Sequence, residues 1–437
     1  MKIGYSRQQS STLMITLVTT SILGFSLASF LKLIECQNIS TMRSYYWNAA
    51  LPVVEAGIEE ALTQLRYSPT NLAANGWVFK DGAYFKERSI GDRRFSVSLS
   101  TDNPPIIISR GFVTAQSEAV FIQRPRTVKV TVINTPVFAK GLVAKGAIAL
   151  NGTIRSDSFD SMNPDYSTDG IYDPAKYRDN GDIASNGRQE FEITANGGLK
   201  IYGHLSTGPG GTAGLRGNPV IGSKAFINGG GQGIQPGWFR DDMNVDFPDV
   251  PVPFDSKILV PGFGTVGGTN YDYVLGSGNY QLLTLNMSGN DKMLVTGNAV
   301  LYVPGYVSLS GRSSIYIAPT GCLQLFVGGA NASFTGQGVA NGSGNATNFY
   351  YYGLPSNTRL TLSGNSGFTG VIYAPQAALS LSGGGHDDMD FVGAAVVNSA
   401  SLSGHFSFHY DENLSRIGPW KGFVVDSWNE VFKMEEL

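Results

Sequence analysis

Seven aspartates, Asp157, Asp160, Asp165, Asp169, Asp173, Asp179 and Asp182, crowd one stretch interrupted by Gly, Asn and Pro. Hard carboxylate oxygens on a pliable backbone are the donor set that Ca²⁺ accepts, although the spacing is not that of an EF-hand loop. The same side chains serve equally as turn caps in a solvated loop. Further on, Gly385-His386-Asp387-Asp388, Ser403-Gly404-His405 and Arg416-Ile417 bring acids, imidazoles and a guanidinium into one C-terminal region. Two carboxylates flanking a glycosidic bond would supply acid and base. His405 and His409 stand four apart on one strand, roughly 13 Å in an extended chain, too far to share a metal. Tyr350, Tyr351 and Tyr352 offer rings that either stack on sugar faces or pack in turns.

The C-terminal elements superficially resemble the Asp-Asp, Gly-His and Arg-Ile-Lys elements of polygalacturonases, which are β-helical glycosidases. Half of that machinery is missing. Asn357-Thr358-Arg359 puts a cation where the family's Asn-Thr-Asp has its partner carboxylate, and Arg416-Ile417 is followed by Gly418. The chain holds no Gly-x-Ser-x-Gly, phosphate loop or dinucleotide fingerprint. No catalytic, cofactor-binding or metal-binding residue is therefore assigned, and no enzyme is expected. Ca²⁺ at the aspartate loop is the one cofactor kept in view, and a membrane-tethered carbohydrate-active β-helix enzyme is the alternative function.

These residues need a large scaffold. At 437 residues the chain exceeds what one core serves, and Gly fills 55 positions while charged residues make up only 15%. Glycine scattered among Val, Ile, Leu and Ser points to many tight turns rather than to disorder. A net charge of −3 gives no field for collecting nucleic acid, which is excluded as a partner. Cys36 and Cys322 stand far apart, which excludes a zinc knuckle and a disulfide-dense scaffold.

From Ser10 to Leu31 the chain carries no charge, about 22 residues or roughly 33 Å as a helix, enough to cross a bilayer. Lys2 and Arg7 precede it, so the N-terminus stays cytoplasmic and the rest is exported. The apolar run is longer than a signal-peptide core and Ala28-Ser29-Phe30 is a poor cleavage site, so an anchor is expected. Beyond it, Leu51, Val54, Ile58, Leu62 and Leu65 recur at helical spacing opposite Glu55, Glu59, Glu60 and Gln64. Pro52 should kink this amphipathic helix, with a break also expected near Cys36 to Ser44.

The segment Gln9 to Leu65, with Ser11-Thr12-Leu13, the uncharged span and Pro52-Val53-Val54-Glu55-Ala56-Gly57-Ile58-Glu59-Glu60-Ala61-Leu62, resembles the N-terminal region of PilX-type minor pilins. The resemblance implies an envelope protein related to type IV pili or type II secretion, whose helix packs into a filament or a priming complex. Such families place Gly before Phe at the membrane edge and Glu a few residues inside. Here Ser10-Ser11-Thr12-Leu13 stands at that point and Ile15 or Thr16 replaces the acid. That favours an accessory or permanently anchored role over a bulk subunit.

Residues 77 to 135 hold short alternating runs broken by Asp-Gly, Asn-Pro-Pro and Gln-Arg-Pro, the pattern of antiparallel hairpins. After Pro136, short apolar runs end in Asn-Gly or Ser-Gly. The steps at Ser288-Gly289, Ser310-Gly311, Ser363-Gly364, Ser382-Gly383 and Ser403-Gly404 include neighbours roughly twenty residues apart, the length of one solenoid coil. This region is also similar to an exported β-solenoid-like domain found behind PilX-like N-termini. The matching elements are Gly370 to Pro375, Leu381-Ser382-Gly383, Phe391-Val392-Gly393-Ala394, Phe408-His409-Tyr410-Asp411-Glu412 and, earlier, Asp157-Ser158-Phe159-Asp160-Ser161.

The expected fold is mainly β: an N-terminal transmembrane and amphipathic α-helix, a small antiparallel sheet, then a right-handed parallel β-helix-like domain, with a β-sandwich as the alternative. The expected divisions are 1–9 cytoplasmic tail, 10–34 transmembrane helix, 35–66 stalk helix and 67–135 pilin-like antiparallel region. They continue with 136–235 first solenoid part, 236–280 Pro/Asp/Gly-rich linker, 281–415 solenoid and 416–437 cap. The expected role is a pilus-associated minor pilin or a membrane-anchored surface adhesion protein, with an exported body on an inner-membrane anchor. Candidate partners are the membrane, other pilins or pilus-assembly components, and a cell-surface glycan.

Overall fold

A computed structural model describes residues 8–67, 71–113, 125–335, 337–364, 367–383, 391–418 and 420–431. Two units form: residues 1–135 with 422–437, and residues 136–421.

In the first unit, helix α1 (Gln8–Ala49) is followed by helix α2 (Leu51–Tyr67). The break expected near Cys36 to Ser44 is not there, because no Gly or Pro interrupts that stretch. The interruption falls at Ala50, just before Pro52, whose missing N–H and bulky ring disturb the preceding turn. Among the described residues none covers the apolar segment of α1, and Leu13, Leu17, Phe25, Leu27 and Leu31 are all exposed. The helix is long and apolar enough to cross a membrane.

Helix α2 lays Val53, Val54, Ile58 and Ala61 on Phe95, Val97, Ile107 and Val130 of an antiparallel sheet. Each of the Val, Ile and Phe side chains contributes about 1.5–3 kcal/mol on burial. Contact is close enough that a Cβ on Gly111 would lie 2.8 Å from the Ala50 carbonyl. Ser109 donates its hydroxyl to the Val54 carbonyl at 2.8 Å. The sheet is a meander of Val78–Lys80, Ala83–Ile90, Arg93–Ser100, Ile106–Val113 and Arg126–Pro136, with Trp420–Glu430 as its sixth strand. Trp420–Glu430, expected to belong to a cap on the solenoid, is thus a strand of this sheet. It pairs with Arg126–Pro136, where Val431 N–H donates to the Thr127 carbonyl at 3.0 Å. The Arg126 guanidinium also donates to Glu430, its Nε at 2.9 Å. The start of one strand meets the end of the other, so the second unit is an insertion into an antiparallel strand pair.

The second unit is a stack of parallel coils, unlike the antiparallel pairing of a β-sandwich. Leu301, Leu325, Tyr351, Ile372, Ala395, Leu142, Ile183 and Leu205 form one continuous buried column across neighbouring coils. The column is not in chain order. The last coil, Phe391–Asp411, pairs with Ile148–Phe159 of the first, from Ala400↔Ile148 to Asp411↔Phe159. Both ends of the unit therefore lie at the middle of the stack. One half builds outward from residue 142 to 240, and the other builds inward from residue 258 to 411.

A strap, residues 241–257, connects the two outer ends. Residues 236–280 are consequently not a linker: their second part forms the strands Ile258–Leu259, Gly262–Val266, Thr269–Leu275 and Gly278–Gln281 of the terminal coil. Pro248, Pro251 and Pro253 keep the strap out of the ladders. Met243, Phe247 and Val250 nevertheless bury themselves over Val143, Ala184, Val371, Tyr373 and Val396. Met243 N–H donates to the Thr207 carbonyl at 2.9 Å, and the Tyr373 hydroxyl donates to the Pro248 carbonyl at 2.7 Å. A third face runs along these coils, where Thr269–Leu275, Lys292–Val295, Ser314–Ile317 and Val339–Asn341 pair in parallel succession.

Candidate functional site

Where the last coil meets the first, a polar cluster is enclosed in the stack. Register places His409 opposite Asp157, and both are almost wholly buried. The His409 Nδ1 lies 2.5 Å from Asp157 Oδ1. Asp157 Oδ2 accepts from Arg155 Nε at 2.7 Å and from the Tyr172 hydroxyl at 2.9 Å. The Tyr172 ring stacks on the imidazole at 3.7 Å, and Phe159 closes the cluster edge-on to Tyr172. One carboxylate serves three donors from three segments, which suits a clamp between coils.

Around it the remaining acids are spent on cations and backbone. Glu412 accepts from Arg178 at 2.7 Å and from Ser158 and Asn180 at 2.8 Å each. Asp411 accepts from the backbone N–H groups of Ser161 and Asn413, both at 3.1 Å. Asp160 pairs with Arg416, Asp173 accepts from Thr168 and from Ala175 N–H, Asp179 accepts from Lys224 N–H, and Asp182 pairs with Lys140. Of the seven loop aspartates, Asp165 and Asp169 stay outside this scheme; Asp169 takes a left-handed turn conformation, φ 53°. Among the described residues no group of three His, Cys, Asp or Glu side chains is placed to hold a metal ion.

Burial works to raise the Asp160 carboxyl, but the hydrogen bonds from Arg416 and Met162 N–H outweigh it and hold the group below its ordinary 3.8. A depressed acid stabilises the fold above its unfolded-state value and loses that contribution as pH falls through the folded one. Asp411 behaves oppositely: chiefly through burial it is raised, so its contribution is fullest in acid and fades as pH rises. Arg416→Ala isolates the first effect. Its cost is expected to be about 1 kcal/mol at neutral pH and to fade only as pH falls below 3.8, through the lowered folded-state value, read as the difference in thermal midpoint between variant and parent.

The other sequence candidates separate. Gly385, His386, Asp387 and Asp388 lie outside the described residues. His405 is exposed opposite Thr153, whereas His409 is buried, so the two do not face one site. Asn357 ties a coil corner, accepting from the Tyr351 hydroxyl at 2.9 Å and donating to the Gly329 carbonyl at 2.8 Å. Arg359 bonds Asn331 at 3.2 Å.

The tyrosine run alternates as a strand must. Tyr351 points inward and is fully buried, while Tyr350 and Tyr352 face outward, half-buried, with parallel rings 6.0 Å apart. They line an open groove of about 460 Å³ together with Asn298, Gln324, Cys322 and Ile417. Burial raises the Tyr350 phenol and the Cys322 thiol.

Residues 263–417 match the model of a family described as a domain of unknown function, DUF7305. That stretch begins in the terminal coil and ends in the short helix Leu414–Ile417 behind the clamp. No curated protein matches the chain. Among solved structures, the competence-associated pilin ComZ from Thermus thermophilus aligns with a TM-score of 0.20 at 12% identity, over 88% of this chain and 98% of that one.

Sequence reading missed Arg155, Tyr172 and Arg178 as partners of the clamp. It did single out both strands that build it, Asp157 to Ser161 and Phe408 to Glu412. The available signal was their shared alternation of polar and aromatic residues, which suits two neighbouring rungs of one ladder.

Proposed function

We propose that the chain is a membrane-anchored, pilin-related envelope protein whose inserted solenoid is an exported structural and adhesive body without catalysis. One observation carries this reading: residues 12–31 of α1 carry no charge and are exposed all round among the described residues, and α1 leads through a proline joint into α2, whose inner face is used by an antiparallel meander. A helix with exposed leucines and phenylalanines all round needs a lipid or helical surround. Ser21, Gly24 and Ala28 supply small surfaces for close packing against other pilins or assembly components. The basic residues Lys2 and Arg7 before the span favour export of the body. The resemblance of residues 9–65 to PilX-type minor pilins supports an accessory place in a pilus or a related machine.

Fractionation with mass measurement of the mature chain tests this. The protein should stay in membranes through alkaline extraction and retain the residues of the span; an intact chain dissolved in cytosol would overturn the proposal. Leu17→Arg with Leu23→Arg should abolish membrane retention, because each mid-span arginine costs about 2.5–3.5 kcal/mol of insertion.

A further inference from the structure

We infer that the groove beside Tyr350 and Tyr352 binds a neutral oligosaccharide, with the Tyr350 ring as platform and the Gln324 and Asn298 amides as hydrogen-bonding partners. The inference rests on the adhesive reading of the solenoid and gives it a ligand class.

Three features carry it. The two outward rings stand on one strand with planes 6° apart and centres 6.0 Å apart, about the length of one pyranose unit. Tyr352 is backed by Phe326 at 4.6 Å, so its ring is held before any ligand arrives. Register sets Gln324 directly beside Tyr350, and Asn298 beside Cys322 on the same wall. Among the described residues the side-chain amides of Gln324 and Asn298 and the two phenol hydroxyls have no protein partner. Aromatic faces flanked by unengaged amides and hydroxyls match a sugar, which presents C–H on its faces and hydroxyls at its rim. Among the described residues that line it, the groove holds no Lys, Arg or His to pair with an acidic sugar, and its phenols and thiol are pushed toward their neutral forms. A purely apolar ligand would leave the amides unsatisfied at a cost of about 1–3 kcal/mol each.

The test is saturation-transfer NMR on the full chain in a sugar-free detergent. The probes are cellotetraose, chitotetraose, mannotetraose and a galactose tetramer, each at millimolar concentration, with tri-galacturonate as the acidic comparison. Transfer to at least one neutral oligomer is expected, with affinity lowered about tenfold or more in Gln324→Ala and Asn298→Ala, roughly 1.4 kcal/mol. Both replacements lie on the groove wall, and their thermal midpoints should equal the parent's. Tyr350→Ala should abolish transfer, and Tyr350→Phe should keep most of it because the ring remains. No transfer from any neutral oligomer, transfer unaffected by the two amide replacements, or preference for tri-galacturonate would each overturn the inference. A membrane-retained chain without transfer refutes the groove and leaves anchoring intact, whereas a cytosolic chain that binds sugar does the reverse.

Discussion

Asp157→Ala is expected to destabilise the solenoid by about 3–5 kcal/mol, the largest effect of any single side-chain truncation in this unit. The change removes the acceptor common to Arg155, Tyr172 and His409, and it does so at the joint between first and last coils. Removing an acceptor that serves several donors at a buried site costs more than the modest net worth of a single hydrogen bond. Asp157→Asn keeps the shape and one acceptor oxygen and should cost markedly less. A double-mutant cycle separates clamp from packing: Asp157→Ala with His409→Ala should cost less than the two single changes added, with about 1–3 kcal/mol of coupling. Urea unfolding followed by β-sheet circular dichroism reads all three. Strict additivity would mean that the imidazole and the carboxylate do not act together.

Gly152→Ala should cost about 3 kcal/mol or more, from backbone strain and overpacking together. Gly152 has φ +114°, a conformation that side-chain-bearing residues rarely adopt, and a Cβ there would lie 2.2 Å from the Gly404 carbonyl oxygen. The obstacle is backbone, so it cannot rotate away. Gly404 is register partner to Gly152, with φ +99°, and in the same column Gly383 lies on one side and Gly197 on the other. The column crosses the closure, so a shift at Gly152 is felt by both halves of the stack. Gly198→Ala is the matched control, since nothing lies within 4 Å of its added Cβ and its stability should change by about 0.5 kcal/mol or less. Comparable losses at 152 and 198 would contradict the ladder.

Much of this architecture is written locally and can be read locally. The uncharged run, the 3.6-residue pattern of α2, the alternating hairpins and the recurrent Ser-Gly steps each express a short-range rule of helix or strand formation. Coil order is different. Nothing within any window says that Phe391–Asp411 pairs with Ile148–Phe159, because parallel strands carry the same inward alternation whichever neighbour they take. For the same reason Asp157 and His409 could each be noted without their contact being seen. The strap was read as a linker because prolines break strand patterning, while the burial of Met243, Phe247 and Val250 depends on a surface assembled from distant coils. Trp420–Glu430 has the pattern of any edge strand, and its place beside Arg126–Pro136 follows only once both ends of the solenoid are known to meet. Two features were within reach. Three consecutive tyrosines on a strand cannot all face one way. A proline two residues into a helix marks the joint better than a polar stretch does.

The orientation of the body relative to the membrane is the claim on which the proposed role stands. Met162 is 71% exposed on the solenoid, and the only native thiols are Cys36 and Cys322. In a chain carrying Cys36→Ser, Cys322→Ser and Met162→Cys, a membrane-impermeant maleimide applied to intact spheroplasts should label the new thiol as fully as it does after lysis. Labelling only after lysis would put the solenoid on the cytoplasmic side and contradict the account.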